Sequence, residues 1–247
     1  MNEAKNMKIS GAGVIGGGEY GEVAISGSGK VLGDVKCEEF RSSGAAKAEG
    51  SIECSGDLRC SGALSCRGNL TAKGSVKISG SCKAEGFVKG TNVEIAGTLK
   101  TKGSVTGETL RISGYLETEK DVEGESISLC GGCEIGGMLN GETVELFPSR
   151  TQSDRPIMKI PTVGGSAITV EGKDRRSIWK RLFGIGTAYP LISDLIEGDT
   201  VDLSDTECST VRGKQVTIRK NCRINRVEYS ESLTVDPSST VTIQEKI

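Results

Sequence analysis

Nine cysteines and no histidine define the chemistry open to this chain of 247 residues. Cys130-Gly131-Gly132-Cys133 has the C-x-x-C spacing of a redox or zinc site. A zinc site usually takes four ligands in close clusters, often with histidine, and no such cluster is visible here. Without histidine the commonest general base is missing. No glycine-rich loop ends in Gly-Lys-Ser/Thr, so nucleotide hydrolysis has no phosphate cradle. The G-G-x-G-x-D pattern of calcium-loaded repeats is also absent. These residues nominate no catalytic group, no cofactor and no metal ligand.

The cysteines are better explained by the elements that hold them. From Gly44 to Gly86 a glycine falls at every sixth position. Two residues after each glycine the side chain is small or apolar, as at Ala46, Ile52, Leu58, Leu64, Leu70 and Val76, and four residues after it is so again. Polar residues such as Lys47, Glu53, Arg59 and Lys77 stand between them. Period-two alternation marks short strands with one dry and one wet face, and glycine at the junctions suits a corner by its backbone freedom. Cys54, Cys60 and Cys66 hold the inward fourth position of consecutive hexads, on three sides of a coil. Cys133 takes the place that Leu116 holds one repeat earlier and Leu99 two repeats earlier, which makes it inward too. They read as small buried apolar residues. Cys130 sits beside a corner glycine and is the one nearer the surface.

Over a longer range, Gly90-Thr91-Asn92-Val93-Glu94-Ile95 recurs at a constant step as Gly107 to Ile112, Gly124 to Leu129 and Gly141 to Leu146. A step of about 17 to 18 residues, made of three strand-length pieces, is one circuit of a three-sided parallel β-helix. One coil cannot bury its own dry face, so coils must stack. The fold class expected is therefore all-β, with the main β-helix over 19–147 and a flexible tail over 1–18. Spacing is lost after Phe147-Pro148, and 148–192 reads as a linker or insertion. The ladder returns at Gly198-Asp199-Thr200-Val201-Asp202-Leu203, so 193–247 reads as a second, short β-helical segment.

Formal net charge is only −2, with 31 basic and 33 acidic residues, so no nucleic-acid-binding surface is advertised. No apolar run is long enough to span a membrane. Residues 1–10 lack the apolar core of a signal peptide, which places the chain in the cytoplasm. Arg175, Arg176, Ile178, Trp179, Lys180, Arg181, Leu182 and Phe183 stand apart from the repeat, with apolar residues at helical spacing and basic ones between. They suit either an amphipathic segment lying on the inner membrane surface or a cap or partner contact that covers a solenoid end.

The hexad spacing is similar to that of acyltransferases with hexapeptide β-helices, but their usual histidine base has no counterpart here. The longer repeat, with its G-E-x-[VLI]-x-[IL] strands, resembles the bactofilins, bacterial polymer-forming cytoskeletal proteins. That resemblance implies a right-handed β-helix that joins end to end into filaments without nucleotide or metal. It also implies scaffolding of cell shape, cell-wall or motility machinery, with the chain itself, a related bactofilin, or proteins of those machineries as partners. Open solenoid ends pair with other copies unless capped. The expected polymer contact is therefore formed by the terminal coils, with Val23, Ile25 and Phe40 at one end and Val144, Leu146, Leu233, Val235, Val241 and Ile243 at the other. The alternative is a β-helical scaffold or adaptor that does not polymerise and binds a partner protein or the membrane surface.

Overall fold

A computed structural model of the chain describes residues 5–148, 158–172 and 191–247. Every regular element among them is a strand, and the strands pair in parallel. The chain divides into two compact units, Met1–Gly124 and Glu125–Ile247.

In the first unit one coil shows the design. Ile52–Cys54, Leu58–Cys60 and Ala63–Cys66 are its three sides, and Ile52, Cys54, Leu58, Cys60, Leu64 and Cys66 all point inward with at most 2% exposure. Alternation alone accounts for this, because successive side chains on a strand face opposite ways. Each side pairs with the same side of the coils before and after. Phe40 lies opposite Leu58, Leu58 opposite Val76, Val76 opposite Val93 and Val93 opposite Leu110. Burying each large aliphatic side chain contributes about 1.5–3 kcal/mol, and stacking merges these contributions into one core.

The corner glycines are required for lack of room rather than for backbone freedom. Among the described glycines only Gly18 and Gly33 have positive φ, at 145° and 92°. In contrast, a Cβ built on Gly44, Gly62, Gly80, Gly97 or Gly114 would land 1.9–2.1 Å from the carbonyl oxygen of the glycine one coil earlier. The corners of successive coils touch through bare backbone.

The ladder starts earlier than the sequence pattern suggests. Met7–Ile9 pairs with residues 23–25, and Ala12–Ile25 runs against Ser28–Ser42. Gly16, Gly17 and Gly18 read as a tail, but they lie in a strand where a Cβ on Gly17 would meet the Asp34 carbonyl oxygen at 2.7 Å.

The second unit again has long strands, like Ala12–Ile25 and Ser28–Ser42. Leu191–Leu203, Thr206–Ile218 and Arg223–Val235 each run 13 residues and pair in order. Part of the stretch read as an insertion is a further coil: Met158–Lys159 pairs with Cys133–Glu134 on one side and with Leu191–Ile192 on the other. Thr162–Val170 likewise joins Leu146 to Leu203 through Val170. The steps from Leu146 to Val170 and from Val170 to Leu203 are both longer than the regular one, which hides the coil from a search at the period of the first unit.

Candidate functional site

A β-solenoid offers two kinds of surface: the open edges of its first and last coils, and its flat outer faces. The last coil is formed by the end of strand Arg223–Val235 and by Thr240–Lys246. Leu233 and Val235 occupy the inward positions opposite Val216 and Ile218. They stay half-buried because no strand among the described residues pairs with their outer edge. Val241 is half-buried too, Ile243 is 42% exposed and Ile247 64%. Four of the nominated contact residues (Leu233, Val235, Val241 and Ile243) therefore lie together on this edge.

The other five are placed differently. Val23 and Ile25 are fully buried because Met7 and Ile9 lie opposite them and cover their edge, and Phe40 because it lies between Val23 and Leu58. Val144 and Leu146 are also fully buried, paired with Ile168 and Val170 of the coil hidden in the irregular stretch. All five are core residues rather than end residues. At the N-terminal edge the positions available are those of strands Met7–Ile9 and Ala12–Ile25, where Val14 is 62% exposed and Met7 half-buried. The basic amphipathic residues 175–183 lie outside the described residues.

Charge is distributed as ladders across coils. In the first unit Lys77 pairs with Glu94 at 3.1 Å and Lys30 with Glu49 at 2.9 Å. Next to the C-terminal edge the ladder becomes a network. Arg212 reaches Glu197 at 3.1 Å and Glu228 at 2.7 Å, and Arg226 bridges Glu228 at 2.8 Å and Glu245. The hydrogen bond from Arg212 holds the Glu228 carboxyl below its ordinary range, with Arg226 adding to the effect. Such charges blunt an edge against unspecific pairing while leaving its apolar positions available.

Four of the buried cysteines are poorly disposed to chemistry. Burial pushes the thiol of Cys133, half of the C-x-x-C pair, up to about 12, and those of Cys60, Cys66 and Cys222 up to about 11. A thiol so raised stays protonated at neutral pH and is a poor nucleophile or ligand. Cys66 donates instead to the Gly50 carbonyl at 3.1 Å, as Thr118 at the matching inward position donates to Gly103 at 2.7 Å and Ser193 to Pro161 at 3.1 Å. Small donors in this column satisfy corner carbonyls, a role the alternation of apolar and polar residues does not reveal. Among the described residues no group of three His, Cys, Asp or Glu side chains could hold a metal ion.

Sequence reasoning also missed a shallow groove of about 590 Å³ on one face of the first unit. Its floor is the outer column Ala12, Ser28, Ala45, Ala63 and Ser81, and Lys30, Lys47 and Lys83 edge it. The inward residues behind it include the small Gly13, Gly29 and Ala46. No described helix is long and apolar enough to cross a membrane.

Comparison with known proteins agrees with this architecture. Over 91 residues the chain is 40% identical to the uncharacterized protein YhbF of Bacillus subtilis strain 168, covering 37% of this chain and 36% of that protein. Over 57 residues it is 46% identical to the uncharacterized protein YhbE of the same strain, covering 23% and 24% respectively. The chain thus spans about a third and a quarter of the lengths of these relatives. No solved structure matches. Residues 43–140 match the bactofilin family, described as polymer-forming cytoskeletal, which is not a family of enzymes. Over the segment 43–140, which carries hexad strands and stacked coils, the chain is similar to the polymer-forming bactofilins.

Proposed function

We propose that the protein is a non-enzymatic cytoskeletal element that self-assembles through its terminal coils into filaments without nucleotide. The observation that carries this reading is the open edge of the last coil, where Leu233, Val235, Val241 and Ile243 are left partly uncovered, in a chain whose residues 43–140 match a polymer-forming family. Apolar side chains beside unpaired strand groups favour pairing with another copy, and a contact between unlike surfaces that does not close gives a filament. The polymer then acts in the cytoplasm as a scaffold for cell-shape, wall or motility machinery, alone or with a related bactofilin. The basic sequence 175–183 supplies a contact for the inner membrane surface, where many weak anchors along one polymer add up to firm binding.

The test is sedimentation and negative-stain electron microscopy of purified protein without nucleotide or divalent metal. Wild type should pellet as filaments. A double variant, Leu233→Asp with Ile243→Asp, should stay in the supernatant while keeping its β-rich circular dichroism spectrum, because both positions lie on the edge. Normal filaments from that variant would remove the C-terminal coil as the contact. Wild type that never pellets would favour the scaffold that binds partners without polymerising.

A further inference from the structure

Among the described residues only one pair of cysteines is brought face to face by the register. Cys37, on strand Ser28–Ser42, stands directly opposite Cys54, on Ile52–Cys54, and their sulfurs lie 3.6 Å apart. Elsewhere the pattern separates thiols: Cys60 lies opposite Ile78, Cys66 opposite Ala84, Cys82 opposite Leu99 and Cys133 opposite Met158. Register partners on neighbouring strands sit ~4.8 Å apart, inside the Cα separation that a disulfide accepts. The two sulfurs need only approach one another within the same rung step, with no change of strand pairing.

We propose that Cys37 and Cys54 form a reducible cross-coil brace, a modification site that a small hydroperoxide converts from dithiol to disulfide. Cys37 is the attacking sulfur because it is 6% exposed, against 1% for Cys54. It also accepts the hydrogen bond that Cys54 can donate, which favours its thiolate and lowers its pKa, while Cys54 moves up. The Cys37 thiolate attacks one peroxide oxygen, the O–O bond breaks, and the sulfenic acid forms as water leaves. The Cys54 sulfur then attacks Cys37 Sγ, the S–O bond breaks, and a second water departs with the Cys54 proton. In net terms two thiols and one hydrogen peroxide give one disulfide and two waters. Hydrogen peroxide is small enough for a sulfur with only a sliver of exposure, whereas a bulky disulfide oxidant would be hindered.

This brace joins consecutive coils across the N-terminal boundary of the family-matched segment 43–140, and it does not depend on filament formation. Its closure ties residue 37 to residue 54 and should make the early coils harder to peel away, since a cross-link restricts the unfolded chain.

The experiment uses the full-length chain with Cys130→Ser, which removes the most exposed thiol. Folded protein is treated with hydrogen peroxide, quenched, alkylated under denaturing conditions and mapped by mass spectrometry. The expected result is a linked Cys37–Cys54 peptide about 2 Da lighter than the sum of its two reduced, unalkylated peptides, reversed by dithiothreitol. Cys54→Ala should instead leave Cys37 as a sulfenic acid that dimedone traps. Oxygen addition at Cys37 with Cys54 still alkylated in the parent protein would overturn the pairing. Full alkylation of both residues after oxidation would overturn the accessibility of Cys37, and with it the proposal.

Discussion

The same corner of the coil is solved in two ways in the two units. In the first unit the corner two residues past the ladder side that holds Ile25, Cys60, Ile78, Ile95 and Ile112 is glycine every time: Gly27, Gly62, Gly80, Gly97 and Gly114. Each leaves no space for a Cβ against the coil before it. In the second unit the equivalent position after Val170 is Gly172, but after Leu203 it is Asp205, and an extra residue after Ile218 brings in Asn221. Asp205 and Asn221 take φ of 54° and 58°, the left-handed region that Asp and Asn tolerate best among residues with side chains. Asn221 Nδ2 donates to Asp205 Oδ1 at 2.7 Å, and the Asp205 side chain fills the space that a Cβ on Gly172 would need. Where glycine holds the corner bare backbone stacks, and where Asp205 and Asn221 hold it hydrogen-bonded side chains do. A solenoid corner needs a satisfied close approach rather than glycine as such.

This contrast predicts unequal costs for equal substitutions. Gly80→Ala places a methyl 2.0 Å from the Gly62 carbonyl oxygen and has backbone on every side. It should destabilise the first unit by about 4 kcal/mol or more, the upper end for single changes, read as a lower midpoint in chemical denaturation. Next comes Phe40→Ala, which empties the volume of a fully buried aromatic side chain and should cost about 3–5 kcal/mol. Asp205→Ala keeps the left-handed backbone but removes the acceptor for Asn221 in a buried place, and about 1–3 kcal/mol is expected. Gly16→Ala completes the series, since nothing lies within 4 Å of its Cβ and its φ is not left-handed; its effect should stay within about 0.5 kcal/mol. Equal shifts for Gly80→Ala and Gly16→Ala would show that steric stacking is not what the corner glycines provide.

The same contrast explains what can be read from the sequence. Residues 44–112 are legible because the glycine column keeps the period constant, so inward positions such as Leu58, Val76 and Val93 fall at fixed steps. The coil through Met158 and Val170 is illegible because its steps to the coils on either side are longer and unequal, and prolines break the local pattern. Met7–Ile9 escapes notice because Gly16-Gly17-Gly18 reads as a flexible run, whereas close approach to Leu32 and Asp34 accounts for Gly17. The candidate contact residues divide the same way. Leu233, Val235, Val241 and Ile243 depend only on being last, which sequence order shows. Val23 and Val144 depend on whether another coil covers them, and that coil is the illegible one in each case. Hydrogen-bond roles such as that of Cys66 toward Gly50 depend on corner geometry, to which residue alternation is blind.

The smallest effect expected concerns the charged edge of the second unit. Glu228 is held below its ordinary pKa by Arg212 first and Arg226 second, and Arg226 also contacts Glu245 on the last strand. A carboxylate with a depressed folded-state pKa adds stability that is fully present above its unfolded value, near 4.3, and is lost as pH falls through the folded one. Acidification from about pH 6 to pH 3 should therefore loosen Thr240–Lys246 before it affects inner coils of the first unit such as that of Leu58, which pair on both sides. The ion pairs are exposed enough that the change is modest, so it belongs in local hydrogen-exchange protection rather than in a global melt. Glu228→Gln should remove most of this acid dependence and lower protection already at pH 6. If protection of residues 240–246 falls equally in wild type and Glu228→Gln on acidification, the network does not hold the edge. Its charges would then serve only to keep wrong partners away, and the apolar positions beside them would have to secure the last coil unaided.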